Sequence, residues 1–160
     1  MAKDYLLDPL HVFRFEIEFT ETQLNGKVGS AIPLCKGAFS ECTGLEATME
    51  PKVIKEGGHN YGAIQRAGPV TFATVILKRG ITEARHLWQW FELVNKTGAY
   101  AYRINATIKL LDGAGKPKLK WILTNALPVK FKSPDLNAAA AEIGIEELHL
   151  AHEGMSVERP

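Results

Sequence analysis

The chain has few cysteines, no long apolar run and no surplus of either charge. Two cysteines in 160 residues, Cys35 and Cys42, are too few for a disulfide framework or a four-ligand zinc site. Both read as ordinary thiols of small apolar character. No apolar segment approaches the ~20 residues of a membrane span, and no basic stretch leads into an apolar one at the start. The expectation is synthesis in the cytoplasm without a signal peptide, and no stable membrane association. Nineteen Lys and Arg against 18 Asp and Glu leave a net charge of +1, which argues against strong non-specific attraction to nucleic acid or anionic lipid and leaves only local patches for it. Apolar residues at 46% and charged residues at 23% are ordinary globular values, so residues 1–160 read as one domain able to bury a core.

What is present centres on Val75 to Gly98, which reads as a strand, a break at Gly80 and a helix over about residues 82–96. Thr82 is placed to cap it, Glu83 suits the positive end of the dipole, and Lys96 with Gly98 supplies the basic last turn and the stop. Leu87, Trp88 and Phe91, with Ala84 and Val94 or Leu93, recur at three- and four-residue spacing. Leu87, Trp88 and Phe91 are therefore the candidate packing residues of the helix.

Elsewhere the pattern alternates. Phe13, Phe15, Ile17 and Phe19 form one oily face of a first strand, and residues 20–37 read as a long, partly extended hairpin connection. Met49 and Val53 mark an exposed strand, and a glycine-rich loop follows over Glu56 to Gly62. Val70 to Lys78 is apolar or small on both faces, so both should be covered. Tyr102, Ile104, Ala106, Ile108 and Leu110 give the cleanest period of two, Asp112-Gly113 turns the chain, and Leu119, Trp121 and Leu123 return it. That strand should end before Pro128, with a further short strand through Val129 and Phe131. In the last segment Ala138 to Ala141 favours helix, but Ile143, Ile145, Leu148 and Leu150 look like strand alternation slipped by one, as a bulge at Glu146-Glu147 would give. Strand is favoured from Glu142 onward. The fold class is mainly β, an antiparallel β-sandwich or barrel with one flanking α-helix.

No constellation supports catalysis. Glu83 with His86 and Glu146 with His149 have the Glu-x-x-His spacing of a di-iron bundle, but that needs four helices in a chain that alternates as strands. Gly57-Gly58 lacks a following helix, and Gly113-Ala114-Gly115-Lys116 runs into Pro117, so neither is a phosphate loop. Ser40 and Ser133 lack a nucleophile elbow. Lys116, Lys118, Lys120, Lys130 and Lys132 surround Trp121 and Phe131, but alternation sets Lys118 and Lys120 opposite the aromatics, which suits edge protection better than base stacking. No catalytic residue, cofactor or metal is expected.

The ordered series is more specific than any one motif. Asp8-Pro9-Leu10 with Phe13 and Phe15, Phe39-Ser40-Glu41-Cys42-Thr43-Gly44-Leu45, Glu56-Gly57-Gly58-His59-Asn60, Leu77-Lys78-Arg79-Gly80-Ile81-Thr82 and Trp90 resemble the tail tube proteins of contractile phages. Asn125-Ala126-Leu127-Pro128-Val129-Lys130 and Glu147-Leu148-His149-Leu150-Ala151-His152-Glu153-Gly154 extend the likeness to the end of the chain. It is especially similar to the inner tube subunits of phage-tail-like contractile injection systems, with a tail-tube/Hcp-like fold. The resemblance implies a structural subunit, not an enzyme. It would form homohexameric rings stacked into a tube that sheath contraction drives through a target membrane. Sheath, baseplate or spike and terminal cap proteins are the implied partners, with protein cargo in the lumen of a particle released from the cell or retained in it. Glu56, Gly57, Gly58, His59 and Asn60 are the expected ring-stacking residues. The alternatives are a phage tail tube passing DNA, a ring protein of a membrane-anchored injection system, and a small β-barrel ligand-binding protein.

Overall fold

The structure is a computed structural model that describes residues 8–22, 28–32, 39–95 and 103–160. In chain order its strands are β1 (Phe15–Thr22), β2 (Val28–Ile32), β3 (Glu41–Thr43), β4 (Ala47–Met49), β5 (Lys52–Ile54), β6 (Ile64–Arg66), β7 (Val70–Phe72) and β8 (Val75–Gly80). Helix α1 (His86–Asn95) follows, then β9 (Ile104–Leu111), β10 (Pro117–Lys132), β11 (Ile145–Ala151) and β12 (Gly154–Glu158). One sheet runs β2-β1-β9-β10 with β12 also on β10, and a second runs β10-β11-β8-β3, all antiparallel.

Strand β10 therefore belongs to both sheets, where two separate strands were expected. Up to Ala126 it pairs β9, and from Leu127 it pairs β11. The crossing point is Asn125, which has a φ of 51° and lies in a register shift between Leu123 and Ala126. Asparagine tolerates this left-handed conformation, and the bulge bends the strand from one sheet into the next. Its backbone N–H donates to Asn105 Oδ1 at 3.0 Å, and its Nδ2 donates to Glu153 Oε2 at 2.7 Å. Pro128 does not end the strand because it sits just before a second register shift, where a missing N–H is tolerated.

The inner faces of the sheets meet in one core. Phe19, Ile104, Ala106 and Leu123 from the first sheet pack with Val75, Leu77, Leu148 and Leu150 from the second. Strand β9 buries Ile104, Ala106, Ile108 and Leu110 in strict alternation, as its sequence requires. Its return turn is held by Asp112, whose Oδ1 accepts from the N–H groups of Ala114 and Lys116 at 2.9 Å each. The Lys116 bond is the main cause holding the Asp112 carboxyl below its ordinary range.

Helix α1 closes one side of this core with Leu87, Trp90 and Val94. The Trp90 ring meets Phe19 edge-on, with centroids 5.6 Å apart, and Phe19 meets Phe39 at 6.4 Å. Its first hydrogen bond, from the Gln89 N–H to the Arg85 carbonyl at 2.9 Å, sets the start later than Thr82. Thr82 Oγ1 accepts from the Ala84 N–H at 3.3 Å, in the lead-in and not at the cap. Lys96 and Gly98 lie outside the described residues, as does Tyr102.

Two further expectations are corrected. Val70 to Lys78 is split into β7 and β8, and Val70 is exposed, so only the β8 part carries a fully buried face. Strand β11 is not slipped: Glu146, Leu148 and Leu150 alternate inward in unbroken register with β8. The apparent slip arises because the inward position beside Arg79 is a glutamate that pairs with it, leaving Ile143 and Ile145 outside. Residues 138–139 form a turn, where the Ala139 N–H donates to Asn137 Oδ1 at 3.0 Å.

Cys42 on β3 packs against the core, and burial raises its thiol to about 11. Alkylation of Cys42 by iodoacetamide at roughly pH 8 should be at least about tenfold slower than that of an exposed thiol, and should accelerate up to about pH 11. Peptide mapping that resolves Cys42 from Cys35 checks this; rapid labelling at neutral pH would show that the thiol is open.

Candidate assembly surfaces

Three surfaces stand apart from the core, and the first is a hairpin arm. Strands β4 and β5 run outward and β6 and β7 run back, paired as β4 with β7 and β5 with β6. None of residues 46–73 is buried, and Met49, Val53 and Val70 are exposed, with Tyr61 at 97%. Two-stranded hairpins are marginal alone, so this arm is held by backbone proximity rather than by a core. A Cβ on Gly44, where φ is +88°, would lie 2.1 Å from the Thr74 carbonyl oxygen, and one on Gly68 would lie 1.9 Å from that of Glu50. Only glycine lets the two legs of the arm approach this closely.

At the tip, Glu56, Gly57, Gly58, His59 and Asn60 are all exposed, joined by a bond from the His59 N–H to the Glu56 carbonyl at 3.3 Å. An open hollow of about 330 Å³ lies there, lined by Lys55, Glu56, His59, Gly62 and Ala63. These residues share one place, and their chemistry is that of a polar contact patch.

The second surface is the flank of α1. Of the helix residues expected to pack, Leu87 is buried, Trp88 is 44% exposed and Phe91 is half-buried. Trp90 and Val94 take the inner positions with Leu87, at spacings of three and four. That spacing was available in the sequence; the presence of Trp88 and Phe91 one step round the helix obscured it. Trp88 stacks on Phe91 at 5.7 Å and meets Phe131 edge-on at 5.5 Å. A groove of about 480 Å³ beside them is half apolar, with Ile81, Ala84, Trp88 and Phe131, and half polar, with Arg85 and Glu146 among its lining.

The third surface is the polar face of the first sheet, where Glu18 of β1, Lys109 of β9 and Lys120 of β10 stand on the side opposite the core residues. Trp121 and Phe131 of β10 pack against the core, so Lys118 and Lys120 stand on the side opposite Trp121.

The Glu-x-x-His pair of β11 is separated by the sheet. Glu146 is buried against Arg79, whereas His149 Nε2 lies 3.3 Å from Glu147 Oε2 on the other side. That contact is the first cause lowering the Glu147 carboxyl. Among the described residues no group of three or more His, Cys, Asp or Glu is arranged to hold a metal, and no helix is long and apolar enough to cross a membrane.

Comparison with known proteins gives this architecture a family. A chain of the anti-feeding prophage (AFP) baseplate, 6-fold symmetrised, is 28% identical, with a TM-score of 0.80 over 96% of this chain and 98% of that one. A chain of the sheath-tube complex of an extracellular contractile injection system, PVC, is 19% identical, with a TM-score of 0.74 over 100% and 99%. A type six secretion system protein, 8% identical with a TM-score of 0.54 over 91% and 84%, shares the fold alone. The comparison with curated protein sequences returns no match. The family model of the T4-like virus tail tube protein gp19 matches residues 11–156, and the chain belongs to that family.

Proposed function

We propose that this chain is the structural subunit of the inner tube of a contractile injection system, closing into hexameric rings that stack into a hollow tube. The observation that carries this is the arm of residues 46–73, a hairpin with no fully buried residue, which a neighbouring subunit would cover. The sheet edges add support, since β2 and β3 end the strand order and a closed ring would pair edges between neighbours. The solved likenesses come from a six-fold baseplate and a sheath-tube complex.

In this role Glu56 to Asn60 contact the next ring, and the polar face of the first sheet lines the channel. Sheath, baseplate or spike and cap proteins are the partners, and the lumen carries protein cargo. The subunit assembles as a soluble protein within a phage-tail-like particle and performs no catalysis.

Negative-stain electron microscopy of the purified chain, with its mass in solution, tests the proposal. Rings or tubes with six-fold symmetry are expected. A chain that stays monomeric at high concentration, both alone and with the baseplate proteins of its own system, would overturn it.

A further inference from the structure

Acids and bases form one transverse row across the polar face of the first sheet. Glu16 stands opposite Lys109, Lys109 opposite Lys120, and Lys120 opposite Glu158. Directly opposed residues point to the same side of a sheet, and here that side faces away from Ile17, Ile108 and the core. Two lysines placed opposite one another repel, so Lys109 and Lys120 need compensation. Each has a carboxylate: Lys109 Nζ lies 2.8 Å from Glu18 Oε1, and Lys120 Nζ lies 3.3 Å from Glu158 Oε2.

The two members of each pair differ in depth. The lysine side chains are 24% and 28% exposed, while those of Glu18 and Glu158 are 54% and 50% exposed. The ammonium groups lie close to the sheet, and the carboxylates stand over them. Anything approaching Lys109 and Lys120 meets negative charge first and finds the positive charge already engaged, whereas Lys118 farther along β10 is the more exposed member of its pair with Asp112. A bare pair of adjacent lysines would be a phosphate-binding element, and ring symmetry would repeat it around the channel.

We propose that Glu18 and Glu158 are guard residues that keep the Lys109–Lys120 pair from capturing polyanions, making this face one along which a charged polypeptide slides without being held. The guarding is a property of the subunit; its use for cargo passage rests on the assignment of this face to the channel. A phosphate backbone is the ligand that the guards exclude. A polypeptide of mixed sign meets compensated pairs and no uncompensated block of either charge.

The test compares wild-type chain with Glu18→Gln/Glu158→Gln, using a fluorescent single-stranded oligonucleotide as the probe at low salt. The double variant should bind it roughly tenfold or more tightly than wild type, with the gain vanishing as salt rises. Adding Lys109→Gln and Lys120→Gln to that variant should return binding to the wild-type level. Thermal melts of the variants near that of wild type ensure that the gain comes from folded protein. Wild-type binding equal to that of the double variant, or a gain that survives loss of both lysines, would overturn the proposal. The channel assignment is read separately from a bulky maleimide on Thr107→Cys, which lies in the same face. Labelling as fast in assembled tubes as in free subunits would remove the channel assignment while leaving the binding result intact.

Discussion

Glu146→Ala should be among the most destabilising single changes in the chain, costing about 3–5 kcal/mol and lowering the melting temperature by about 10 °C or more. Glu146 and Arg79 are both buried, on adjacent strands and in register, with Arg79 Nε donating to Glu146 Oε1. Arg79 also donates from Nη2 to the Ala84 carbonyl at 3.2 Å, tying the second sheet to the lead-in of α1. Removing the carboxylate leaves a guanidinium in the interior without its charge partner, so the cost comes from the uncompensated cation rather than from lost attraction. The control follows from that distinction. Arg79→Met with Glu146→Leu removes both charges and should recover most of the loss, apart from the bond to Ala84. A Glu146→Ala melt within a degree or two of wild type would show that water reaches Arg79, and the pair would not then be a buried one.

The same pair marks where sequence patterning is least informative. In β9, Ile104 to Leu110 alternates without exception, and the structure follows it residue by residue. In β11 the inward series is Glu146, Leu148 and Leu150, and a charged residue at an inward position looks like a phase error unless its partner on another strand is known. Arg79 is 67 positions away from Glu146, a separation that a local window does not span. Sheet membership is hidden for a similar reason. Pro128 resembles a strand end, but the break in pairing lies at Asn125 and is a change of partner, from β9 to β11. The helix was legible in existence and not in phase, because Trp88, Trp90 and Phe91 are all apolar and only tertiary packing selects Trp90 for the interior.

The arm was legible as polarity and glycine content, and its meaning lies in what it lacks. A segment whose side chains are exposed over residues 55–62 contributes little to the stability of the subunit, which suits a role in contacts outside the subunit. The family to which the chain belongs, that of a tail tube protein, supplies that context. On the proposed role, stability of the fold and capacity to assemble should be separable, because the core residues and the arm residues are different sets.

Replacing residues 55–63 with Asn-Gly should separate those two properties. The Ile54–Ile64 pair would then be closed by a two-residue turn suited to the twist of a hairpin, leaving β5 and β6 paired. Because the deleted side chains lie outside the core, the melting temperature should stay close to that of wild type, a change within about 1 kcal/mol. Tube elongation should fall sharply. A loss of only about 1 kcal/mol per arm is summed around a ring of six, giving about 6 kcal/mol per stacking event, or more than a thousandfold in the association constant. Substitution of Gly57 and Gly58 by valine acts on the same contact more gently: a Cβ at either meets nothing within 4 Å, and only Gly58, at φ +88°, is strained. The expected order in tube length by electron microscopy is wild type, then the valine variant, then the shortened arm, with rings persisting throughout. Full-length tubes from the shortened arm would remove Glu56 to Asn60 from the stacking contact. Loss of the rings as well would place the arm between neighbours within a ring.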